Sequence, residues 1–129
     1  MFFLKEWLTK NIYVTSPFNP DPFFHPRRLQ VPKAAVIQIS LALIRQLPRW
    51  KLEQYYELQG RIHAIRQSRV LGFVDDINIY IGQGIDGITT LEMTSQSRIG
   101  KGDWGQNRRN LKKFLSRFDF QVIVSASSG

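Results

Sequence analysis

The spacing of apolar residues changes at Trp50 from a helical repeat to alternation, and this change constrains the fold more than any other feature. Before it, residues 33–47 carry apolar side chains three and four positions apart, which predicts a helix that begins at Pro32 and ends before Pro48. After it, four alternating segments separated by glycines predict an antiparallel meander. The predicted strands are Lys51–Gln59, Arg61–Arg69, Phe73–Ile81 and Ile88–Ser97.

A second helix is predicted after the strands. Asp103 is a good N-cap for it, and an apolar stripe at helical spacing follows. The stripe consists of Trp104, Leu111, Phe114, Leu115 and Phe118. Both helices need a surface for their apolar sides, and the sheet has one to offer. The sequence therefore predicts an α+β domain in which two helices pack on one face of a four-stranded antiparallel sheet.

Prolines set the N-terminal part of the chain apart. Five of them lie between Thr15 and Pro32, where they remove backbone donors and favour extended or turn conformations. We expect this stretch to wrap around the domain without forming a helix or strand. The predicted organisation is an N-terminal segment with a proline-rich arm (1–31), a single α+β domain (32–120) and a disordered tail (121–129).

The composition excludes several classes of site. The 129 residues include no cysteine, which excludes disulfides, zinc fingers, iron–sulfur clusters and thiol nucleophiles. The two histidines, His25 and His63, are far apart in the sequence, and we expect ordinary surface or capping roles for them. Neither a phosphate-loop spacing nor a serine-hydrolase elbow is present. We therefore expect no metal and no cofactor.

No stretch of the sequence has the features of a membrane span or a secretory signal. The longest apolar run, 34–47, contains polar residues and is shorter than the roughly 20 residues that cross a bilayer. The run Met1–Leu8 is interrupted by Lys5 and Glu6. We therefore expect a soluble, cytoplasmic protein, with peripheral membrane association of the apolar N-terminal residues as the alternative.

The net charge of +8 is distributed unevenly. Residues 98–117 hold seven basic residues and one acidic residue, whereas residues 73–96 hold four acidic residues and no basic one. A basic segment attracts anionic lipid or nucleic acid, but it is also typical of the solvated face of a helix. The candidate anion-binding residues are Arg98, Lys101, Arg108, Arg109, Lys112 and Lys113.

A carboxylate is predicted on the core side of the third strand. Pairing the apolar faces of the third and fourth strands sets Ile79 opposite Leu91, which brings Asp75 opposite Ser95. An unpaired buried charge costs several kcal/mol, so Asp75 needs a partner. The last helix offers Arg108 on its apolar side, and we expect an Asp75–Arg108 ion pair.

The neighbouring carboxylate is predicted on the opposite face. Asp76 points away from the core because successive residues of a strand alternate, and Arg98 is its expected partner. Asn107 is expected to satisfy backbone groups of the loop Ile99–Gly102. These contacts favour a structural role, in which the residues hold the strand end, the glycine-containing loop and the start of the helix in one geometry. Two alternatives stay open: an anion site at the basic residues, and a catalytic role for an aspartate.

Two blocks of sequence around these residues resemble a known family. The blocks are Phe73-Val74-Asp75-Asp76-Ile77 and the stretch from Ser95 to Arg109. They are similar to the F-x-D-D and S-x-S-R-x-G-x-x-D-x-G-x-N-R signature of the family catalogued as domain of unknown function 1499, which occurs in bacteria, including cyanobacteria, and in plants. The resemblance covers residues 32–117. It implies that the recurring residues are Phe73, Asp75, Asp76, Ser95, Ser97, Arg98, Gly100, Asp103, Gly105, Asn107 and Arg108.

The resemblance implies no reaction, because the family is named for the lack of an assigned activity. Many members carry a cysteine-containing, proline-rich segment after a membrane signal, and here only the proline density is present. The leading hypothesis is a non-enzymatic binding or accessory domain that recognises an anionic ligand or a protein partner through its basic C-terminal helix. Nucleic acid stays among the open partners. The alternative is an enzyme that uses Asp75, Asp76 and Arg98 in a pocket.

Overall fold

The computed structural model describes residues 11–69, 72–98 and 105–128, which form an α+β fold. An antiparallel sheet of six strands carries two longer helices within these ranges. The strands are β1 (Ile12–Val14), β2 (Arg27–Leu29), β3 (Trp50–Tyr56), β4 (Arg61–Gln67), β5 (Val74–Gln83) and β6 (Thr89–Ser97). The helices are α1 (Lys33–Gln46) and α2 (Gln106–Ser128), and single 3₁₀ turns cover Pro22–Phe24 and Glu57–Gln59.

The meander β3–β4–β5–β6 forms in the predicted order, but a sheet of four strands was wrong. β1 and β2 both pair antiparallel with β6. β1 precedes the proline-rich arm and β2 lies within it, so the arm is not free of regular structure. β1 lies along Thr94–Gln96 and β2 along Thr89–Leu91, and together they cover most of an edge whose backbone groups would otherwise lack partners. Four of the five prolines of the arm lie between these two strands and Pro32 follows β2, so neither strand contains a proline and each keeps its backbone donors.

The register of β5 and β6 differs from the predicted one by two residues. Ile79 lies opposite Met93, and Asp75 lies opposite Ser97 rather than Ser95. The tight connection between Gln83 and Thr89 sets this register, because the length of a hairpin loop decides which residues pair. A shift of two keeps every side chain on its predicted face, so Asp75 still points into the core.

Both helices pack on the same face of the sheet and enclose one core. All four described members of the predicted α2 stripe are buried: Leu111, Phe114, Leu115 and Phe118. Trp50 at the start of β3 stacks on Phe114, which in turn stacks on Phe118. Asp103 and Trp104, the predicted start of this helix, lie outside the described residues. No helix in the described ranges is both long and apolar enough to span a membrane.

The C-terminal residues, for which the sequence predicts a disordered tail, extend α2 instead. The helix continues through residue 121 to Ser128. No glycine or proline interrupts this stretch before Gly129, and Val122 packs against the core. The last turns of α2 are therefore helical, and Val122 anchors them to the core.

Gly60 generates a prediction about the connection between β3 and β4. Its backbone has a φ of 62°, and an added Cβ would collide with the carbonyl oxygen of Ile81. Gly87 is the matched control, because its φ of 79° is also left-handed but nothing lies within 4 Å of an added Cβ. We expect Gly87→Ala to cost about 1 kcal/mol and Gly60→Ala at least about 2 kcal/mol more, measured by urea unfolding. Equal losses would contradict the collision at Gly60.

Candidate functional site

A cluster of buried polar side chains lies where β5 and β6 meet α2. Its members, the polar cluster, are Asn11, Asp75, Ser95, Asn107 and Asn110, each at most 5% exposed. Polar groups removed from water cost free energy unless they are hydrogen-bonded. Within the described part of the chain, every buried side-chain nitrogen or oxygen has a hydrogen-bond partner. The polar cluster is therefore a closed network inside the core.

Asp75 is stabilised from the helix by an amide and from the sheet by a cation. Asn110 Nδ2 donates a hydrogen bond of 2.9 Å to Asp75 Oδ2, and Arg66 Nη1 lies 3.9 Å from the same oxygen. Arg66 stands opposite Asp75 in the β4–β5 pairing, so both side chains point to the helices. Burial lowers the pKa of Arg66, and the charge of Asp75 offsets part of this effect. A compensating charge thus comes from the neighbouring strand.

Ser95 and Asn107 extend the network to the N-terminal segment. The Ser95 hydroxyl donates to Asn107 Oδ1 at 2.7 Å and accepts from Asn110 Nδ2 at 2.9 Å. Asn107 Nδ2 donates to the backbone oxygen of Asn11 at 2.9 Å and to Ser97 Oγ at 3.0 Å. One asparagine of α2 therefore joins β6 to the residue that precedes β1. The loop Ile99–Gly102, which the sequence assigned to Asn107, lies outside the described residues.

Arg108 lies outside the polar cluster, so the predicted Asp75–Arg108 ion pair was wrong. Its guanidinium carbon lies 4.7 Å from the centre of the Phe24 ring, and its Nη2 is 3.9 Å from Asp21 Oδ2. Neighbouring helical positions point about 100° apart, so Asn107 faces the sheet while Arg108 faces the proline-rich arm. Arg108 therefore holds the arm against α2.

A second polar group, the open-face cluster, consists of His63, Asp76 and Arg98 on the side of the sheet away from the helices. Arg98 Nε and Nη2 donate to the two Asp76 oxygens at 2.9 and 3.0 Å, which confirms the predicted pair. His63 Nε2 lies 2.8 Å from Asp76 Oδ1. The Arg98 hydrogen bonds lower the pKa of Asp76, and His63 contributes in the same direction. Asp76 is therefore an ionised acceptor.

Sequence reasoning missed Arg66, Asn110 and His63. Arg66 follows Ile62 and Ala64 at alternate positions of β4, and this spacing places it on the core side. His63 lies on the opposite side of β4 by the same alternation. Asn110 lies three positions after Asn107, which is the spacing of one helix face.

The outer side of α2 carries a basic face, defined by Arg109, Lys112, Lys113 and Arg117. All four residues are exposed. Among the described residues, no carboxylate oxygen lies within 4.0 Å of the charged nitrogens of Lys112, Lys113 or Arg117. Asp119 is the one acidic residue of α2, and Arg27 binds it with two hydrogen bonds of 2.9 and 2.8 Å. No acidic residue of α2 is therefore available to neutralise Lys112, Lys113 or Arg117.

The structure divides the predicted anion-binding residues among three surfaces. Arg109, Lys112 and Lys113 lie together on the basic face, whereas Arg98 binds Asp76 on the far side of the sheet and Arg108 contacts the arm. The remaining candidate, Lys101, lies outside the described residues, as do the family positions Gly100 and Asp103. Within the described ranges, α2 alone therefore presents several of the predicted cations side by side.

Two other family positions lie just before the elements that supply Asp75, Asn107 and Asn110. Phe73 precedes β5, and its backbone N–H donates to Ser68 Oγ at 2.8 Å. Gly105 precedes α2 with a φ of 80°, a conformation that favours glycine. Each residue therefore helps to fix the backbone conformation just before β5 or α2, the elements that supply residues of the polar cluster.

The model of a family described as "Protein of unknown function (DUF1499)" matches residues 5–118. This range contains all six strands, α1 and most of α2, and it includes both clusters. A search of curated proteins finds no match to this chain.

The contacts of Asn110 generate a prediction about stability. Asn110→Asp keeps the size of the side chain but places a second carboxylate beside Asp75, and we expect a loss of about 3–5 kcal/mol near neutral pH. Repulsion raises the folded-state pKa of the pair, so part of this loss should be recovered as the pH falls. The control on the same helix is Arg108→Met, which should cost about 1 kcal/mol because Arg108 is half exposed. Urea unfolding measures both; a milder loss in Asn110→Asp than in Arg108→Met would contradict the assignment.

The lowered pKa of Asp76 generates a prediction about pH. A carboxyl with a folded-state pKa below its unfolded value stabilises the fold above the unfolded pKa, and this stability is lost as the pH falls through the folded pKa. Asp76→Asn should therefore be less stable than the parent near pH 7, with the difference shrinking below about pH 4. Asp86→Asn controls for the removal of a negative charge. A difference that stayed constant between about pH 7 and pH 3 would contradict the Asp76–Arg98 contribution.

Proposed function

The chain belongs to the DUF1499 family of proteins of unknown function, and we propose that this domain is a non-enzymatic binding module that recognises an anionic partner through the basic face of α2. One observation carries the proposal: four exposed basic residues lie on one side of a helix whose single acidic residue is paired elsewhere. Lys112, Lys113 and Arg117 have no carboxylate within 4.0 Å among the described residues, and exposed positive charge of this kind attracts anions and steers their approach.

The position of α2 supports this role. Its inner side contributes Asn107 and Asn110 to the polar cluster and four apolar residues to the core, so the helix is held in one orientation. The charges of the basic face are thereby presented on a rigid element rather than on a mobile loop. A rigid arrangement binds at a lower cost in conformational entropy.

The alternative, an enzyme that uses Asp75, Asp76 and Arg98, has less support. The two carboxylates point to opposite faces of the sheet, so they are poorly placed to act on one substrate bond. A proton donor would need a raised pKa, whereas Arg98 lowers the pKa of Asp76. Grooves of about 460 and 290 Å³ lie beside α2, and neither is lined by these three residues.

Retention on a heparin column tests the proposal. Lys113→Glu combined with Arg117→Glu lowers the net charge from +8 to +4. The matched control, Arg28→Glu combined with Lys51→Glu, makes the same change at exposed positions on the other side of the sheet. We expect the first variant to elute at much lower salt than the parent and the control to elute near the parent, because local charge density decides polyanion binding.

Equal elution of the two variants would show that retention follows net charge alone, and it would remove the basis of the proposal. Thermal unfolding of each variant checks that the fold is retained. All exchanged side chains are exposed, and exchanges of this kind usually change stability by less than about 0.5 kcal/mol.

A further inference from the structure

The basic face does not end at Arg117 but continues into apolar side chains on the same side of α2. Phe120, Ile123 and Val124 are exposed to 63%, 66% and 40%. At about 100° per residue, they and the basic face lie within roughly 140° of the helix circumference. The outer side of α2 therefore presents cations along its first half and bare hydrocarbon along its last turns, over a length of about 22 Å from Arg109 to Val124.

This apolar group differs from the other exposed hydrophobic residues of the domain. Phe18, Leu58 and Ile85 are each isolated in a turn or a 3₁₀ helix, and Val14 and Tyr80 lie on two different strands. Single exposed side chains of this kind are common. Phe120, Ile123 and Val124 lie on adjacent helical turns and border the basic face. An apolar patch next to exposed basic side chains indicates a surface that meets a partner.

We propose that this outer side of α2 docks onto the surface of an anionic lipid bilayer. The basic face contacts the phosphate groups of the lipids, and Phe120, Ile123 and Val124 enter the boundary between headgroups and acyl chains. A surface helix that combines Lys and Arg with exposed Phe and aliphatic residues has the chemistry that interfacial binding requires. The inference rests on the proposed function, because it names the anionic partner of the same face.

The charge and shape of the face favour a lipid surface over two other occupants. A second copy of the chain would bring one basic face against another, and the like charges would repel. A nucleic acid would use the cations, but Ile123 and Val124 cannot stack on bases or hydrogen-bond to them. A bilayer can contact both the basic and the apolar half of this surface, because its phosphates and its hydrocarbon lie within a few ångströms of each other.

Co-sedimentation of the full chain with lipid vesicles tests the proposal. The vesicles consist of phosphatidylcholine alone or of phosphatidylcholine with about a quarter of phosphatidylserine. Two variants act on the two halves of the face: Lys113→Glu with Arg117→Glu, and Phe120→Ser with Ile123→Ser. Arg28→Glu with Lys51→Glu is the control. Heparin retention of each variant is measured in parallel.

We expect binding to the anionic vesicles and none to the neutral ones. The charge variant should lose affinity at least about 25-fold, because each basic residue at an anionic bilayer accounts for roughly a five-fold change. The apolar variant should lose about ten-fold on vesicles and keep its retention on heparin, since heparin offers no hydrocarbon to enter. The control should bind like the parent.

Three results would overturn the inference. The first is that the chain binds heparin through the basic face but does not bind anionic vesicles. This result would leave the proposed function intact. The second is vesicle binding that the apolar variant does not weaken, which would indicate adsorption by charge alone. The third is tighter binding to a DNA duplex than to the vesicles at the same salt concentration. If the unmodified chain bound neither heparin nor anionic vesicles, the proposed function itself would be overturned.

Discussion

The carboxylate of Asp75, buried between the sheet and α2, is the constraint on which the rest of the structure depends. It is 5% exposed, and an unpaired charge at such a depth costs several kcal/mol. The fold meets this cost with the Asn110 amide on the helix and the Arg66 guanidinium on β4, while Ser95 and Asn107 continue the network toward the N-terminal segment. Sliding or rotating α2 would leave several buried polar groups without partners at once, so the helix has one position.

That single position links the interior to the surface that we assign to binding. Because Asn107 and Asn110 face the sheet, the side of α2 that carries Lys113, Arg117 and Phe120 must face outward. Asp76, Arg98 and Arg108 of the family signature lie toward the surface, whereas Asp75, Ser95 and Asn107 belong to the buried polar cluster. The residues that would meet a partner lie next to the signature on the same helix, and this separation lets the outer side change without disturbing the fold.

Periodicity alone predicted the meander, both helices, the shared core face and the Asp76–Arg98 pair, because each depends on alternation or helical spacing within short segments. It did not predict β1 and β2, since a strand of three residues is stabilised by pairing with β6 and not by a pattern of its own. The partners of Asp75 were missed for a different reason. We expected a cation of α2 to pair with Asp75. Instead, α2 supplies a neutral amide that donates a hydrogen bond, and the cation comes from the adjacent strand.

A double-mutant cycle between Asp75 and Asn110 tests the central claim most directly. The free energy of unfolding is measured for Asp75→Ala, for Asn110→Ala and for the double variant. A charge-assisted hydrogen bond in the core predicts a coupling free energy of about 1.5–3 kcal/mol, so the double variant should lose clearly less than the sum of the single losses. Additive losses, equal within about 0.5 kcal/mol, would contradict the account, because they would mean that Asn110 does not stabilise the buried carboxylate.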